Sequence, residues 1–326
     1  MCMAVDSILD RDLLMLQDGT LTRTQARDMG LTDKAIAAAL RSGRWQRLYS
    51  GVYAAFSGPP GRGAWLWAAV HSAGPDAVLS YRTAAELYGL VRGHSQPVHV
   101  TVPSGVHVVR RPGVALHHSH RVAQARHPAL LPPRTRIEET VLDLTQAAGG
   151  LDDALGWVFR GCGTRLTTAD RIGAAMSLRR RMRWRREITR ALDLGREGAH
   201  SLLEWRYADG VERSHGLPRG SRQHRIQRGG HRQYQDVSYD GFDTIVELDG
   251  RVAHPSYARW FDIRRDNANI ADGWVTLRYG WADVTERRCE VATEVGAAIR
   301  QRGWSGALRR CCSGCRIQDT ASQRRP

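Results

Sequence analysis

Lysine is almost missing from this chain. Lys34 is the single one among 48 Lys and Arg residues, so nearly every cation is an arginine. An arginine stays protonated, which gives the chain cations for holding anions but almost none that can act as a base. No apolar run reaches the ~18 residues of a membrane-spanning helix, so membrane partners are not expected. The first residues, Met1-Cys2-Met3-Ala4-Val5-Asp6, lack a basic region followed by an apolar core and do not read as a signal peptide. Six cysteines are scattered, which fits a reduced, cytoplasmic setting better than a disulfide framework. Tandem repeats and a phosphate-cradling glycine loop are both absent. Acid is in short supply too: Asp+Glu 33 against Lys+Arg 48 leaves a net charge of +15. Such a balance favours nucleic acid, held through phosphate contacts and counterion release. A GC-rich genome would explain Arg in place of Lys but not the positive sign. A length of 326 residues points to two or three domains.

The first sixty residues carry a dense run of helix signals. Ile8, Leu13, Leu14 and Leu16 predict a first helix. Thr22-Arg23-Thr24-Gln25 is a capping box, with Thr22 as N-cap and Gln25 reaching back. Gly30 stops the short helix that follows. Thr32 or Asp33 caps the next, whose Ile36, Ala39 and Leu40 face inward. Gly43 closes it. Trp45–Tyr49 and Val52–Ala55 then flank Ser50-Gly51 as a hairpin. Helix, helix, glycine turn, helix, hairpin is the order of a winged helix-turn-helix. Lys34 and Arg41 lie on the outer face of the third helix, with Arg44 and Arg47 just beyond, and suit phosphate and guanine contacts in a major groove of double-stranded DNA.

Thr24-Gln25-Ala26, Gly30-Leu31-Thr32, Leu40-Arg41-Ser42-Gly43-Arg44 and Gly51-Val52-Tyr53 together resemble the N-terminal domain of AbiEi-type antitoxins of type IV toxin–antitoxin systems. The middle of the chain also looks like the body that follows in that family, including Glu139-Thr140-Val141-Leu142-Asp143-Leu144. There, Trp65–Val70 and Ser80–Leu90 read as helices and Pro97–Pro103 as a short strand. Val106–Arg110 is expected to pair with Val114–His118 across Arg111-Pro112-Gly113. The resemblance implies DNA binding and a cognate toxin as partner.

Tyr234–Gly250 reads as a hairpin with acids on one face. Asp240-Gly241 predicts a two-residue type I′ turn, which pairs Tyr239 with Phe242, Val237 with Thr244 and Asp236 with Ile245. Alternation then puts Asp236, Ile245, Glu247 and Asp249 on one face, with Asp236 and Glu247 diagonal at about 7–8 Å. Carboxylates among Val, Ile, Tyr and Phe are costly unless a cation or hydrogen bonds compensate them. Oxygen ligands at that spacing suit Mg²⁺, which would polarise a phosphate and activate a water. Asp236, a gap, then Glu247-Leu248-Asp249-Gly250 with His254 downstream resembles the PD-(D/E)xK nuclease superfamily, closest to its very-short-patch-repair-like branch. The resemblance spans about residues 196–303. It implies Asp236 and Glu247 as metal ligands, Asp249 as a further ligand or base, and Glu204 on an upstream helix in support; His254 reads equally as a phosphate contact or acid–base group and as a loop histidine before Pro255. The superfamily motif ends in Lys, whereas this chain has Asp249 there, and its one lysine lies far away in sequence. Asp262–Asp266 is expected to open a helix and Val275–Tyr279 to form the next strand.

The remaining features carry less. Arg179–Arg186 interleaves arginines with Trp184; it could hold a phosphate backbone with Trp184 stacking, but more often such a run is the solvated face of a linker helix with Trp184 and Ile188 buried. His99, His117, His118, His120 and His127 have no tidy ligand spacing and read as strand-face or solvated histidines. Ser221–Arg232 is basic and precedes the acidic hairpin, where it would lead DNA in. Cys312-Ser313-Gly314-Cys315 is a lone C-x-x-C: without a second pair it is a weak zinc or redox signal, and no function is expected of it.

The chain is thus expected to be α+β and multi-domain. A winged helix-turn-helix spans 1–58, an α/β middle domain 59–148 and a basic helical linker 149–195. A restriction-endonuclease-like α/β core spans 196–304, and a disordered tail 305–326. Three functions compete: a DNA-binding regulator of the antitoxin type, a Mg²⁺-dependent DNA endonuclease, and an interaction protein that neutralises a toxin.

Overall fold

A computed structural model of the chain describes residues 10–196, 201–228, 231–249, 269–315 and 317. Two compact units divide it: Met1–Gly149 with Thr164–Arg183, and Gly150–Gly163 with Trp184–Pro326. No helix among the described residues is long and apolar enough to cross a membrane.

The first unit begins with α1 (Arg11–Leu16), β1 (Thr20–Thr22), α2 (Arg23–Asp28), α3 (Asp33–Arg41), β2 (Gln46–Tyr49) and β3 (Val52–Ala54). The capping box forms as expected: Thr22 Oγ1 accepts from the Gln25 N–H at 3.1 Å, and Gln25 Oε1 accepts from the Thr22 N–H at 2.8 Å. Gly30 makes the turn between α2 and α3 at φ 89°, a conformation side chains disfavour. Leu21, Ile36, Ala39, Trp45 and Tyr53 close a small core, where each large side chain contributes about 1.5–3 kcal/mol by leaving water. The three strands run β1-β3-β2, all antiparallel. The order of helices and hairpin is that expected for a winged helix-turn-helix, and β1 is an addition too short for the sequence to announce.

α4 (Arg62–Ala73) follows. Ala64, Leu66, Trp67, Ala68, Ala69 and Val70 are all buried, so it is apolar nearly all round and must be covered on several sides. It packs on β1 and β3 on one side and on β5 (Val98–Pro103) on another. The chain between β3 and β5 also holds β4 (Val78–Leu79) and α5 (Tyr81–Leu87). After β5 come β6 (Val114–Ser119), α6 (Val122–Ala125) and α7 (Ile137–Ala147). The second sheet runs β4-β5-β6, with β5 and β6 parallel from Val98↔Val114 to Pro103↔Ser119. This corrects the hairpin expected between Val106–Arg110 and Val114–His118. Val106 and Val109 are exposed, and only Val108 of this segment packs against the core, so it offers no continuous face to bury. Val98, Val100 and Val102 alternate inward on β5, so its free edge is the better partner.

The basic segment 149–195 does not act as one linker. Its first helix, α8 (Leu151–Gly163), belongs to the second unit, whereas α9 (Ala169–Ser177) belongs to the first. The second unit continues with α10 (Arg185–Arg196) and α11 (Leu202–Arg206), which runs into a π-helical stretch, Tyr207–Arg213. Its sheet contains β7 (Ser221–Arg228), β8 (His231–Tyr239), β9 (Thr244–Asp249) and β10 (Val275–Gly280), in the order β10-β9-β8-β7. β7, β8 and β9 form an antiparallel meander, and β10 adds in parallel to β9. α12 (Trp281–Glu286) and α13 (Arg288–Arg300) follow. Tyr207, Val211, Val237, Tyr239, Val246, Leu248, Val291, Val295 and Ile299 form one buried core between helices and one sheet face. The tail expected to be disordered begins by joining that core: Leu308, Cys315 and Ile317 are buried in it.

Candidate nucleic-acid interface and acidic hairpin

The winged helix sorts its charges. Asp33 is held by Arg23 through two contacts of 2.8 and 2.7 Å and by Arg27 at 2.9 Å. The Arg23 hydrogen bond keeps the Asp33 carboxyl below its usual range. Those two arginines are thus engaged within the protein. Lys34, Arg41, Arg44 and Arg47 are all exposed. Lys34 and Arg41 are seven residues apart on α3 and share its outer face. Arg44 follows the helix, its Nε 3.2 Å from Ser42 Oγ. Arg47 lies on β2, opposite Tyr53. All four cations chosen from the sequence therefore stand on solvent-facing positions of α3, the turn after it and β2.

The acidic hairpin departs from the expected turn. Asp240–Phe242 forms a 3-10 turn, and the left-handed residue is Asp243 at φ 42°, not Gly241. Asp tolerates this conformation better than most side chains. Asp240 begins the turn by accepting from the Ser238 hydroxyl and from Ser221 Oγ at 3.1 Å. The loop therefore has four residues, and Tyr239 pairs with Thr244, Ser238 with Ile245 and Val237 with Val246. The register differs from the expected one by two residues. A two-residue slip keeps every side chain on its face, so the acids remain co-facial. It also moves Asp236 from diagonal to opposite Glu247, one step past the last ladder pair.

β10 brings a neighbour that the sequence did not single out. Arg278 pairs in register with Glu247, and its Nη1 lies 3.7 Å from Asp249 Oδ2. Glu247 is buried at 6% exposure, while Asp249 has a 44% exposed side chain. Asp236 Oδ2 accepts from the Leu248 N–H at 2.8 Å and so helps tie β8 to β9. The row Asp236, Glu247, Arg278 thus crosses three strands, with Asp249 at its open end. Glu204 is buried on α11, where its N–H and Oε1 both engage the Ser201 hydroxyl, at 3.1 and 3.0 Å. His254 and the helix expected at Asp262–Asp266 lie outside the described residues.

The basic run 179–186 is partly consumed inside the first unit. Arg179 binds Glu139 and, at 2.7 Å, Asp143, and Arg121 holds the other Glu139 oxygen at 2.7 Å. Burial pushes the Asp143 carboxyl up to about 6, against the pull of Arg179. The Glu139–Leu144 stretch therefore serves as an anchor between α7 and the segment after α9. Ile188 is fully buried on α10, as its spacing implied. His99 and His117 are diagonal neighbours across β5 and β6, with Nδ1 and Nε2 2.9 Å apart and Tyr81 stacked on His117. They are strand-face histidines.

Residues 11–55 match the family model described as "Transcriptional regulator, AbiEi antitoxin". That match covers the winged helix from α1 through β3 and supports an antitoxin-type, DNA-binding role for it. No curated protein matches the chain.

Proposed function

We propose that this protein is a DNA-binding regulator of the AbiEi antitoxin type, docking α3 and its wing on duplex DNA. The observation that carries this reading is the sorting of charge on the winged helix. Arg23 and Arg27, though exposed, are paired with Asp33, while the exposed Lys34, Arg41, Arg44 and Arg47 have no such acid partner among the described residues. A helix with cations on its outer face, followed by a basic wing, fits a major groove and its phosphates. The test is binding to duplexes from the chain's own promoter region beside bulk DNA. Tight, metal-independent binding to the former, weakened in Arg41→Ala, supports a regulator; equal binding to both refutes it. A cognate toxin belongs to this reading as a second partner, and co-purification would reveal it.

The acidic row favours a second reading. With Asp236 opposite Glu247 and Asp249 beside them, the oxygen donors suit Mg²⁺, and Asp236, Glu247 and Asp249 would hold it with Glu204 in support. When bound, the ion would supply Lewis-acid polarisation of a phosphodiester. Arg278, opposite Glu247 and 3.7 Å from Asp249, would supply a fixed positive charge beside the position where the superfamily motif has Lys. It would bind a phosphate oxygen but cannot take a proton. Supercoiled plasmid with Mg²⁺ or Mn²⁺, beside Glu247→Ala and an EDTA control, separates the readings. Metal-dependent nicking lost in the variant establishes an endonuclease; binding without nicking in either metal leaves the regulator.

A further inference from the structure

His215, Cys289, Cys311 and Cys315 come from three separate parts of the second unit and converge. His215 follows the π-helical stretch, Cys289 lies in the first turn of α13, and the other two lie on the C-terminal tail. Their ligand atoms all fall within 4.8 Å of one another. Cys289 Sγ is 3.7 Å from Cys311 Sγ and 3.6 Å from Cys315 Sγ. A tetrahedral ion with metal–sulfur bonds of about 2.3 Å puts its thiolates about 3.8 Å apart. A disulfide needs sulfurs at about 2.05 Å, and all of these cysteines are free thiols.

The histidine supplies the independent observation. His215 is fully buried, and its Nε2 has no hydrogen-bond partner. An orphaned polar atom in a buried position is costly unless something occupies it. Its Nδ1 is 3.0 Å from the Val211 carbonyl. Nδ1 is thus the donor, the tautomer is fixed, and Nε2 is left with its lone pair available to a metal. A backbone carbonyl on the distal nitrogen is the usual outer support of a metal-binding histidine. The Arg309 N–H donates to the His215 carbonyl at 2.9 Å, which lays the tail alongside and brings Cys311 and Cys315 to the site.

We propose that these four residues form a structural zinc site of the Cys₃His type. Three soft sulfurs and one imidazole select zinc over the hard cations suited to the acidic hairpin. Four protein ligands leave no open position, so the ion is a staple and takes no part in catalysis. Binding takes one Zn²⁺ and three thiols and releases three protons, leaving three thiolates and the neutral imidazole on the metal. The ion would lock the tail, with buried Leu308 and Ile317, against α13. Cys312 Sγ lies 3.6 Å from Cys311 Sγ, but the residue is exposed and is not one of the four mutually close ligands, so the C-x-x-C pair visible in the sequence is not the ligand pair. Cys311 and Cys315 are.

The test uses the full chain purified under reducing conditions. Zinc is measured by elemental analysis, and Co²⁺ replaces it for visible spectroscopy. The expected result is one zinc per chain, an intense tetrahedral cobalt–thiolate spectrum, retention in Cys312→Ser, and loss in Cys315→Ser and His215→Ala. Those last variants could unfold, so the wild-type stoichiometry and cobalt spectrum stand as a separate criterion. Wild-type protein with reduced thiols and no stoichiometric metal overturns the proposal. So does a disulfide among Cys289, Cys311 and Cys315, or zinc retained in Cys315→Ser.

Discussion

Arg41→Ala removes one exposed guanidinium from α3 and leaves its buried side, Ile36 and Ala39, untouched. Each phosphate neutralised on duplex DNA adds about −0.9 to the slope of log K against log salt. If Lys34, Arg41, Arg44 and Arg47 each meet a phosphate, together they contribute a slope of about −3.6. Raising salt from about 50 to about 200 mM then costs roughly 150-fold in affinity through these residues, and roughly 40-fold once Arg41 is gone. Other basic regions add to the total slope but cancel in the difference between wild type and variant. Fluorescence anisotropy of a labelled duplex across a salt series reads that difference. Arg27→Ala is the matched control, because its guanidinium is engaged by Asp33 at 2.9 Å and should change the slope little. An unchanged slope in Arg41→Ala refutes the phosphate role. So does an equal loss in both variants. An unchanged slope with lost discrimination between duplexes would move Arg41 from phosphate to a base edge.

Two further substitutions probe the scaffold. Glu86 joins α5 to α4: burial alone would raise its carboxyl, but the Arg62 pair, the Ser95 N–H and His94 outweigh it and bring it down to about 2. A depressed carboxyl stabilises the fold fully above its unfolded value near 4.5, and the stabilisation fades as pH falls toward 2. Glu86→Gln should therefore cost about 2 kcal/mol at pH 7, allowing for solvent screening, with the cost shrinking toward pH 3; hydrogen exchange of α4 amides measures it, and a pH-independent cost refutes the account. Gly220→Ala would bring a Cβ to 2.4 Å from Val237 Cγ1 and 3.1 Å from Glu212 Oε1, both deeply buried. It should destabilise the second unit by about 1–3 kcal/mol in urea melts, and an unchanged midpoint would mean that β8 has room to shift.

Where the signal was local, the sequence was legible. The Thr22–Gln25 box, the inward Ile36 and Ala39 and the glycine stops each depend on residues within one turn, and they formed as read. Non-local choices were lost. Val114–Ser119 has the same alternation whether it pairs with 106–110 or with β5, and the choice shows only in the fold, where Val106 and Val109 are exposed and β5 is the partner. The division of 149–195 between two units likewise depends on what α8 and α9 pack against. Arg179 looked like a solvated cation because its acids, Glu139 and Asp143, lie some forty residues back.

The two candidate sites of the second unit show why co-facial pattern and ligand identity differ in legibility. Strand alternation has a period of two, so an incorrect turn at Asp240-Gly241 still left Asp236, Glu247 and Asp249 on one face. Any even slip would have done the same, and the acidic face was therefore robust to the error. Arg278 was not recoverable this way, since a parallel partner depends on a crossover whose length and path carry no periodic signal. The histidine and thiols are further from any pattern. Seventy-four positions separate His215 from Cys289, and the visible C-x-x-C pointed to Cys312, the exposed neighbour of the residue that joins the cluster. Spacing statistics find metal sites whose ligands share a knuckle. A site assembled from a π-helix exit, a helix start and a tail is set by the core that brings those three together. Its detection needs the orphaned Nε2 of His215, an atom whose lack of a partner exists only in the folded chain.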